Sequence, residues 1–368
     1  MSQSLSFIEL NRCAARANVA AFRSHLGPTQ ELIAVVKANA YGHGLNEIVG
    51  MVEDLVDGFQ VDDIEELRLV RPKTAKRILV LGYVAPHDLE EAVRLHGELA
   101  LYDTERLELL GAMQEVAHVH LKIDALLGRQ GLLTEMLPDF IPQLLRFPNV
   151  KLAGVYGHYS NLEDTPLRSH AEAQQARFER ARGMLIAFGL GAVPTHFSST
   201  AGILAFEGPD SEHALVRLGI GLYGLYPSTG FERLVDLKPV LRWVTHLAQV
   251  KDVPPGYPIG YGLTFVTSRP TRMGIVPQGY ADGYDRGLSG CGEVLVAGRP
   301  CPIIGRIAMN MFAIDLTEVG EVHPGAEVVL IGEQDGERIT AEVLAGWTDT
   351  INYEVVARIS ALLPRSVV

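Results

Sequence analysis

Residues Glu31 to Gly44 read E-L-I-A-V-V-K-A-N-A-Y-G-H-G. Leu32 to Val36 is an unbroken apolar run rich in β-branched residues, with no polar alternation. That pattern predicts a strand buried on both faces, as in a parallel sheet covered by helices. Lys37 follows at once. In a parallel barrel, side chains at the strands' carboxyl ends gather at the active-site face, so a lysine there stands where reactive groups collect. Held against apolar walls it would lose hydration, its pKa would fall, and it could form an imine with an aldehyde. Gly42 and Gly44 let the backbone beyond the lysine approach a ligand closely. The same position also suits a lysine that ends a strand and reaches water.

Outward from this stretch, strand-like runs alternate with helical ones, which predicts repeated βα units and a parallel sheet. A possible strand at Leu5–Leu10 precedes a helix from Asn11 to Leu26 that stops at Gly27-Pro28. The strand candidates are Leu32–Val36, Gly58–Val61, Arg77–Leu81, Glu98–Tyr102, Val119–Ile123, Leu152–Tyr156, Thr195–Ser198 and Leu215–Ile220. Asp103 caps the helical run T-E-R-L-E-L-L-G-A-M, and Ser169 is placed to cap a helix from His170 to Phe188 that stops at Gly189. Eight strands with their helices in about 200 residues match the size of a (β/α)8 TIM barrel. From Pro239 the texture changes to short alternating runs, W-V-T-H-L-A-Q-V, G-E-V-L-V-A and E-V-V-L-I-G, with turns at Pro255-Gly256 and Pro324-Gly325. That is antiparallel β, interrupted by one helix at Thr340–Trp347. The expected organisation is a strand at 1–10 joining the β domain, a barrel at 11–230, and a C-terminal mostly-β domain at 236–368, with the boundary between Pro227 and Lys238.

At 368 residues the chain is long enough for two full cores. Its net charge of −12 argues against nucleic acid as a partner, because phosphate binding favours a basic stripe. The N-terminus has neither the basic start nor the apolar core of a signal peptide, and no apolar run reaches the roughly 18 residues of a membrane helix. Cys13, Cys291 and Cys301 lack metal-ligand spacing and read as free thiols of a reducing cytoplasm; no metal site is expected.

Barrels often bind phosphate at the loops after strands seven and eight. The seventh candidate runs into H-F-S-S-T-A-G, which places the Ser199 and Thr200 hydroxyls there. The eighth runs into R-L-G-I-G-L-Y-G, where Gly219 and Gly221 let successive N–H groups converge on an anion. With a strand-end lysine, these describe an aldehyde cofactor carrying a phosphate, which is pyridoxal 5'-phosphate.

The motifs A-V-V-K-A-N-A-Y-G-H-G, V-R-L-G-I-G-L-Y-G, I-G-Y-G, G-Y-A-D-G-Y and G-R-I-A-M-N together resemble the alanine racemases, and they follow that family's order over nearly the whole chain. A generic pyridoxal-phosphate barrel explains the first two but not the last three. The resemblance implies that Lys37 bonds covalently to the cofactor and is the base on one face of the substrate α-carbon. It implies that Tyr261 is the base on the other face, reaching in from the partner subunit of a homodimer. A racemase needs two such groups because the proton leaves one face and returns on the opposite one. A phenol at the usual pKa of about 10 is a poor base at neutral pH, so its phenolate needs stabilising. Arg217, with His158 and His196, matches the family's relay from the tyrosine toward the pyridine nitrogen. A guanidinium does not give up its proton, so Arg217 at the ring nitrogen would leave that nitrogen unprotonated and moderate the cofactor as an electron sink.

For the phosphate, the resemblance points to Tyr41, Thr200, the backbone at Gly219 and Ile220, and Tyr353. For the substrate carboxylate it points to Arg129, whose planar fork suits a carboxylate, and to the Met309 N–H. Tyr280 matches a wall of the entrance corridor. Lys122 matches a lysine that is N-carboxylated in some members. Without the family, Arg217 fits a salt-bridge arginine, the two histidines fit satisfied core histidines, and the tyrosines fit half-buried packing. Three positions depart from the family: Asp124–Leu127 reads D-A-L-L where D-T-G-M is usual, so the loop to Arg129 lacks the family's glycine at position 126 and is free to follow another path. Ser199-Thr200 replaces Asn-Ser, and Met309-Asn310 replaces Met-Asp.

The expected function is therefore pyridoxal-phosphate-dependent interconversion of L- and D-alanine, which supplies D-alanine for peptidoglycan in the cytoplasm. A racemase of serine, lysine or a broader set shares fold and cofactor. An amino-acid decarboxylase would gain from a protonated ring nitrogen, against which Arg217 argues. A non-catalytic cofactor carrier resembles the barrel alone, against which the β domain argues.

Overall fold

A computed structural model describes residues 4–163 and 168–368. The chain divides into two compact units, one of Ala15–Ala38 with Ile48–Lys238, the other of Met1–Ala14, Asn39–Glu47 and Pro239–Val368. The short Asn39–Glu47 segment thus groups with the C-terminal residues, although the sequence places it within 11–230.

The first unit is a nearly closed barrel of eight parallel strands: β1 (Glu31–Val35), β2 (Gly58–Val61), β3 (Arg77–Val80), β4 (Gly97–Leu101), β5 (Ala117–Lys122), β6 (Val150–Tyr156), β7 (Thr195–His196) and β8 (Leu215–Leu218). Their order is β7-β6-β5-β4-β3-β2-β1-β8. The ring closes through backbone bonds beside β7 and β8, from Ala214 N–H to Thr195 O at 3.0 Å and from Arg217 N–H to Ser198 O at 3.1 Å. Every residue of β2 and β8 is buried, as expected for strands whose sequence lacks polar alternation. Successive side chains point to opposite faces, so Leu215 and Arg217 share one face of β8, and Arg77 and Leu79 share one face of β3. Ile33, Leu79 and Leu215 pack together there with no exposed surface.

Helix ends follow local chemistry. The Asp103 carboxylate accepts the Arg106 N–H at 2.7 Å and opens helix Thr104–Gly111. Ser169 does not cap its helix: the helix runs Ser169–Ala187, and Arg168 stands at the cap position without a side-chain bond. It ends before Gly189, whose φ of +81° only glycine adopts without strain.

The second unit is a twisted β-sheet. Its strands lie in the order Gln249–Val253, Thr271–Val276, Phe312–Asp315, Arg299–Ile304, Glu293–Val296, Glu327–Gln334, Leu241–His246, Phe7–Leu10 and Arg365–Val367. Phe7–Leu10 pairs antiparallel with Leu241–His246 and parallel with Arg365–Val367. Trp243 stands edge-on to Tyr284 at 5.7 Å, and Tyr284 stacks on Phe312 at 5.1 Å, making an aromatic core. Residues 239–368 hold two α-helices where the sequence indicates one: Ala341–Thr348, capped by Thr340, and Asn352–Ala357. Asp349 turns left-handed between them (φ 53°), and six residues are too few to show helical periodicity. No helix among the described residues is long and apolar enough to cross a membrane.

Candidate functional site

Val36 still donates to the Gln60 carbonyl at 2.9 Å, so Lys37 is the first residue past the parallel ladder. Its environment differs from the expected apolar walls. Its side chain is 40% exposed, and Nζ lies 3.4 Å from Asp62 Oδ1. Beyond the lysine the chain makes a single left-handed turn: Ala38, Asn39, Ala40 and Tyr41 have φ of 54°, 52°, 52° and 52°. Each such residue costs roughly 1–2 kcal/mol, so the turn must be braced. The Glu66 carboxylate accepts the Ala38 N–H at 2.6 Å and the Asp62 N–H at 2.9 Å. Asn39 Oδ1 accepts the Leu45 N–H at 2.9 Å, and Arg365 Nη2 donates to the Gly42 carbonyl at 2.8 Å. Gly42 is at φ 76°, and a Cβ there would fall 1.8 Å from the Val356 carbonyl oxygen, so no other residue fits.

β8 carries Arg217 into the barrel interior, where it is 4% exposed. Its Nη2 donates to the Gly157 and Phe197 carbonyls at 3.0 Å each and lies 3.3 Å from His158 Nδ1; Nη1 bonds His196 Nδ1. Burial pushes the guanidinium down to about 10, and it stays cationic at neutral pH. Burial, reinforced by Arg217, drives His158 and His196 well below the ordinary histidine range, so both rings are neutral. His196 stacks flat on Tyr156, with ring centroids 4.9 Å apart.

Lys122, at the end of β5, is 3% exposed, and its Nζ lies 4.5 Å from the centre of the Tyr156 ring. Burial, with Arg217 and Arg129 nearby, lowers its amine well below the usual lysine range. Arg129 is exposed on the loop after β5. There Asp124 Oδ1 accepts the Leu127 and Gly128 N–H groups at 2.9 and 3.1 Å. Leu126 occupies the position where the family usually has glycine, and it keeps a left-handed φ of 63°. The missing glycine has not removed the turn; leucine adopts it instead.

After β7 and β8 the hydroxyl and the glycines meet, though not as the sequence suggests. The Gly219 and Gly221 N–H groups, expected to converge on an anion, both donate to Thr200 Oγ1 at 3.2 Å. An oxygen that accepts two hydrogen bonds keeps its own hydrogen to donate elsewhere. Ser199 precedes helix Thr200–Phe206 without a side-chain cap bond, and Ile220 is buried.

The remaining candidates lie in the second unit. Tyr41 and Tyr353 face each other with ring centres 6.1 Å apart. Tyr261 is 72% exposed and is flanked by Gly260 and Gly262, both at φ 75°. Met309 is 55% and Tyr280 44% exposed. Their segments are joined by bonds from Tyr280 N–H to Ala308 O at 3.3 Å and from Ala281 N–H to Met309 O at 3.0 Å.

The sequence did not single out Glu98, His120, Asp62 or Glu66. His120 Nδ1 lies 2.8 Å from His196 Nε2, and His120 Nε2 lies 2.6 Å from Glu98 Oε2. The available signal was a glutamate within the otherwise apolar β4 run G-E-L-A-L and a histidine two residues before Lys122 in β5. Among the described residues, no group of three or more His, Cys, Asp or Glu side chains is arranged to hold a metal ion.

Comparison with known proteins places this geometry in context. The family model for the alanine racemase N-terminal domain matches residues 10–227, and that for the C-terminal domain matches residues 240–367. The chain is 37% identical over 366 residues to an alanine racemase of Symbiobacterium thermophilum, covering 98% of this chain and 96% of that protein. Among solved structures it is similar to the alanine racemase of Bacillus anthracis with bound L-Ala-P, with a TM-score of 0.92, 31% identity, and coverage of 100% of this chain and 96% of the other. It is likewise similar to the alanine racemase of Streptomyces coelicolor A3(2), with a TM-score of 0.90, 33% identity, and coverage of 99% and 98%.

Proposed function

This chain belongs to the alanine racemase family and is an amino-acid racemase, and we propose that it interconverts L- and D-alanine with pyridoxal 5'-phosphate as cofactor. The residues present fit that group. A lysine amine stands at a strand end, a threonine hydroxyl with its hydrogen to donate comes after β7, and a guanidinium is fixed in the barrel interior. Lys37 would hold the aldehyde carbon; Thr200, Tyr41, Tyr353 and the backbone at Gly219 and Ile220 the phosphate, with Ser199 beside them; and Arg217, backed by His158 and His196, the ring nitrogen. When bound, the cofactor supplies the electron sink that makes the amino acid's α-hydrogen acidic.

The chain's own groups do the rest. The Lys37 amine removes or returns the proton on one face of the α-carbon. The Tyr261 phenol does so on the other, supplied by a second copy of the chain in a homodimer. Arg129 and the Met309 N–H grip the substrate carboxylate, and Tyr280 lines the way in. With the cofactor bound, Arg217 would face the ring nitrogen as a donor that does not surrender its proton, which would limit the electron sink and favour return of the proton over side reactions. The observation that carries this proposal is the company Arg217 keeps. It is held by carbonyls and neutral imidazoles, with no carboxylate among the described residues directly bonded to it. Lys122, nearly unexposed and low in pKa, is suited to carry carbon dioxide as a carbamate, because a bare ammonium there would be costly. We place the reaction in the cytoplasm, supplying D-alanine for peptidoglycan.

The test is alanine inversion with added cofactor, and then borohydride and peptide mapping. Conversion of L- to D-alanine faster than of serine or lysine, with the label on Lys37, is expected. A label elsewhere or a preference for another amino acid would overturn the assignment. The native mass of the same preparation reports on Lys122: no increment of one carbon dioxide would leave it a plain amine.

A further inference from the structure

The geometry points to Glu98 as a positioning residue for the reaction, one that fixes the hydrogen-bonding state of Arg217 through His120 and His196. This rests on the racemase reading of Arg217 given above. The direction of every bond is set by chemistry, starting at the guanidinium. Arginine has five N–H donors and no acceptor, so His196 Nδ1 must accept from Arg217 Nη1. A neutral imidazole whose Nδ1 accepts carries its hydrogen on Nε2. His196 Nε2 therefore donates to His120 Nδ1 across 2.8 Å. His120, held neutral by burial, likewise carries its hydrogen on Nε2 and donates across 2.6 Å to Glu98 Oε2. Guanidinium, imidazole, imidazole and carboxylate form one chain with all its hydrogens pointing the same way.

The chain has a fixed end. Burial opposes the charge on Glu98, but the bonds from His120 and Arg77 outweigh it and hold the carboxyl at about 2. Arg77 grips it through Nη2 at 2.8 Å and Nε at 3.2 Å, and Arg77 Nη1 in turn bonds Glu31. Only an acceptor can sit between the donors of Arg77 and His120, so Glu98 permits one tautomer of His120, that permits one tautomer of His196, and that leaves His196 Nδ1 open to Arg217. Turning either ring over would face donor against donor within the barrel, where an unmade hydrogen bond costs roughly 1–3 kcal/mol. The chain also sets a carboxylate's negative charge against a guanidinium bonded directly only to carbonyls and imidazoles among the described residues, while keeping that carboxylate away from the ring nitrogen it would otherwise help to protonate.

Glu98→Leu tests this because it removes the acceptor that His120 Nε2 and Arg77 Nη2 share at Oε2, so that nothing then fixes the His120 tautomer. The first measurement uses 15N-histidine-labelled protein without cofactor or substrate near pH 7. It should show His120 and His196 both neutral with hydrogen on Nε2. The second compares variants of the cofactor-loaded enzyme. Glu98→Leu should let at least one of the two rings invert and lower kcat by about 10- to 100-fold, the usual scale for removing a partner that orients a functional histidine, with KM for alanine nearly unchanged. Glu98→Asp, which keeps the carboxylate, should retain both tautomers and recover most of kcat. Hydrogen on Nδ1 or a doubly protonated ring at either histidine of the wild type would overturn the proposal, whether or not any variant folds. So would a folded Glu98→Leu whose kcat stays within twofold of wild type. Wild-type protein with both tautomers as stated but no racemisation would overturn the function of the site and leave the hydrogen-bond chain standing.

Discussion

Arg217 and Tyr261 are two residues asked to serve one reaction, and the chain treats them in opposite ways. Arg217 is 4% exposed, bonded to two carbonyls and two imidazoles, and reached by a hydrogen-bond chain that ends on Glu98. Tyr261 is 72% exposed on a short turn between two left-handed glycines. Fixing a group in advance lowers the free energy needed to align it at the moment of reaction. The chain does this within its barrel. For Tyr261 it supplies glycine-framed backbone and leaves the side chain open. In the proposed mechanism the missing constraint comes from a second copy, whose docking would order the phenol.

The strongest way to break this contrast is complementation. Lys37→Ala and Tyr261→Phe should each lose about 10²- to 10⁴-fold or more in racemisation, the range for removing a positioned acid or base. If the two bases come from different chains, a heterodimer of the two variants contains one intact site. Co-refolding the two inactive proteins should then restore up to a quarter of wild-type activity, since about half the dimers are mixed and each has one working site of two. The measurement is D-alanine formation alongside native mass spectrometry that counts mixed dimers. Mixed dimers without activity would put both bases on one chain, and Tyr261 would then need ordering by its own subunit.

Acidification sharpens the comparison at intermediate scale. His120, His158 and His196 lie in the barrel unit, each lowered first by burial. In the unfolded chain they return to about 6.5. A base depressed on folding contributes stability that is complete above its unfolded pKa and is lost as pH falls toward its folded pKa. Each histidine therefore costs stability as pH falls below about 6.5, by at most about 1.4 kcal/mol per pH unit for as long as it stays neutral. Glu98, held at about 2, is a depressed acid whose contribution is complete above about 4.5, so it does not weaken the barrel in this range. Trp243 and Trp347, the chain's two tryptophans, both lie in the second unit. Between pH 7.5 and 5.5 the helical circular-dichroism midpoint should fall by several degrees, and the tryptophan-fluorescence midpoint by less. Equal shifts would mean that the two units melt as one and that the contrast has no separate energetic meaning.

What the sequence reveals divides along the same line. The eight barrel strands were legible because each is a short apolar run bounded by turn or cap residues, and burial on both faces leaves that mark in composition. Observed ends differ by at most two residues, as with Thr195–His196 for an expected Thr195–Ser198. The Arg217–His196–His120–Glu98 chain was not legible. Period-two alternation shows which way each side chain faces, but the partners come from four strands whose register is fixed only by the closed barrel. Candidate roles for Arg217, Tyr261 and Arg129 came from resemblance, since nothing local distinguishes them from ordinary surface or salt-bridge residues. The left-handed turn after Lys37 was half legible. Gly42 and Gly44 announce positive φ, whereas A-N-A-Y carries no sign of it, because the conformation is imposed by Glu66, Asn39 and the chain beyond.

The smallest effect concerns another left-handed residue near the site. Leu126 holds φ 63° while 45% exposed, at the position where relatives of this family usually carry glycine. Relieving a left-handed leucine should return roughly 1–2 kcal/mol, while glycine's extra freedom in the unfolded chain takes back about 0.5–1. Leu126→Gly should therefore stabilise the protein by about 0–1.5 kcal/mol, read as a rise in the urea midpoint at unchanged slope. The loop itself should hold, because Asp124 Oδ1 accepts the Leu127 and Gly128 N–H groups and the Gln174 side chain donates to the Ala125 carbonyl at 2.8 Å. KM for alanine, which depends on Arg129 three residues further on, should stay within about twofold. A loss of more than about 1 kcal/mol would show that packing of the leucine side chain outweighs its backbone strain, and the strain at this loop would then be a consequence of that contact rather than a cost the chain merely tolerates.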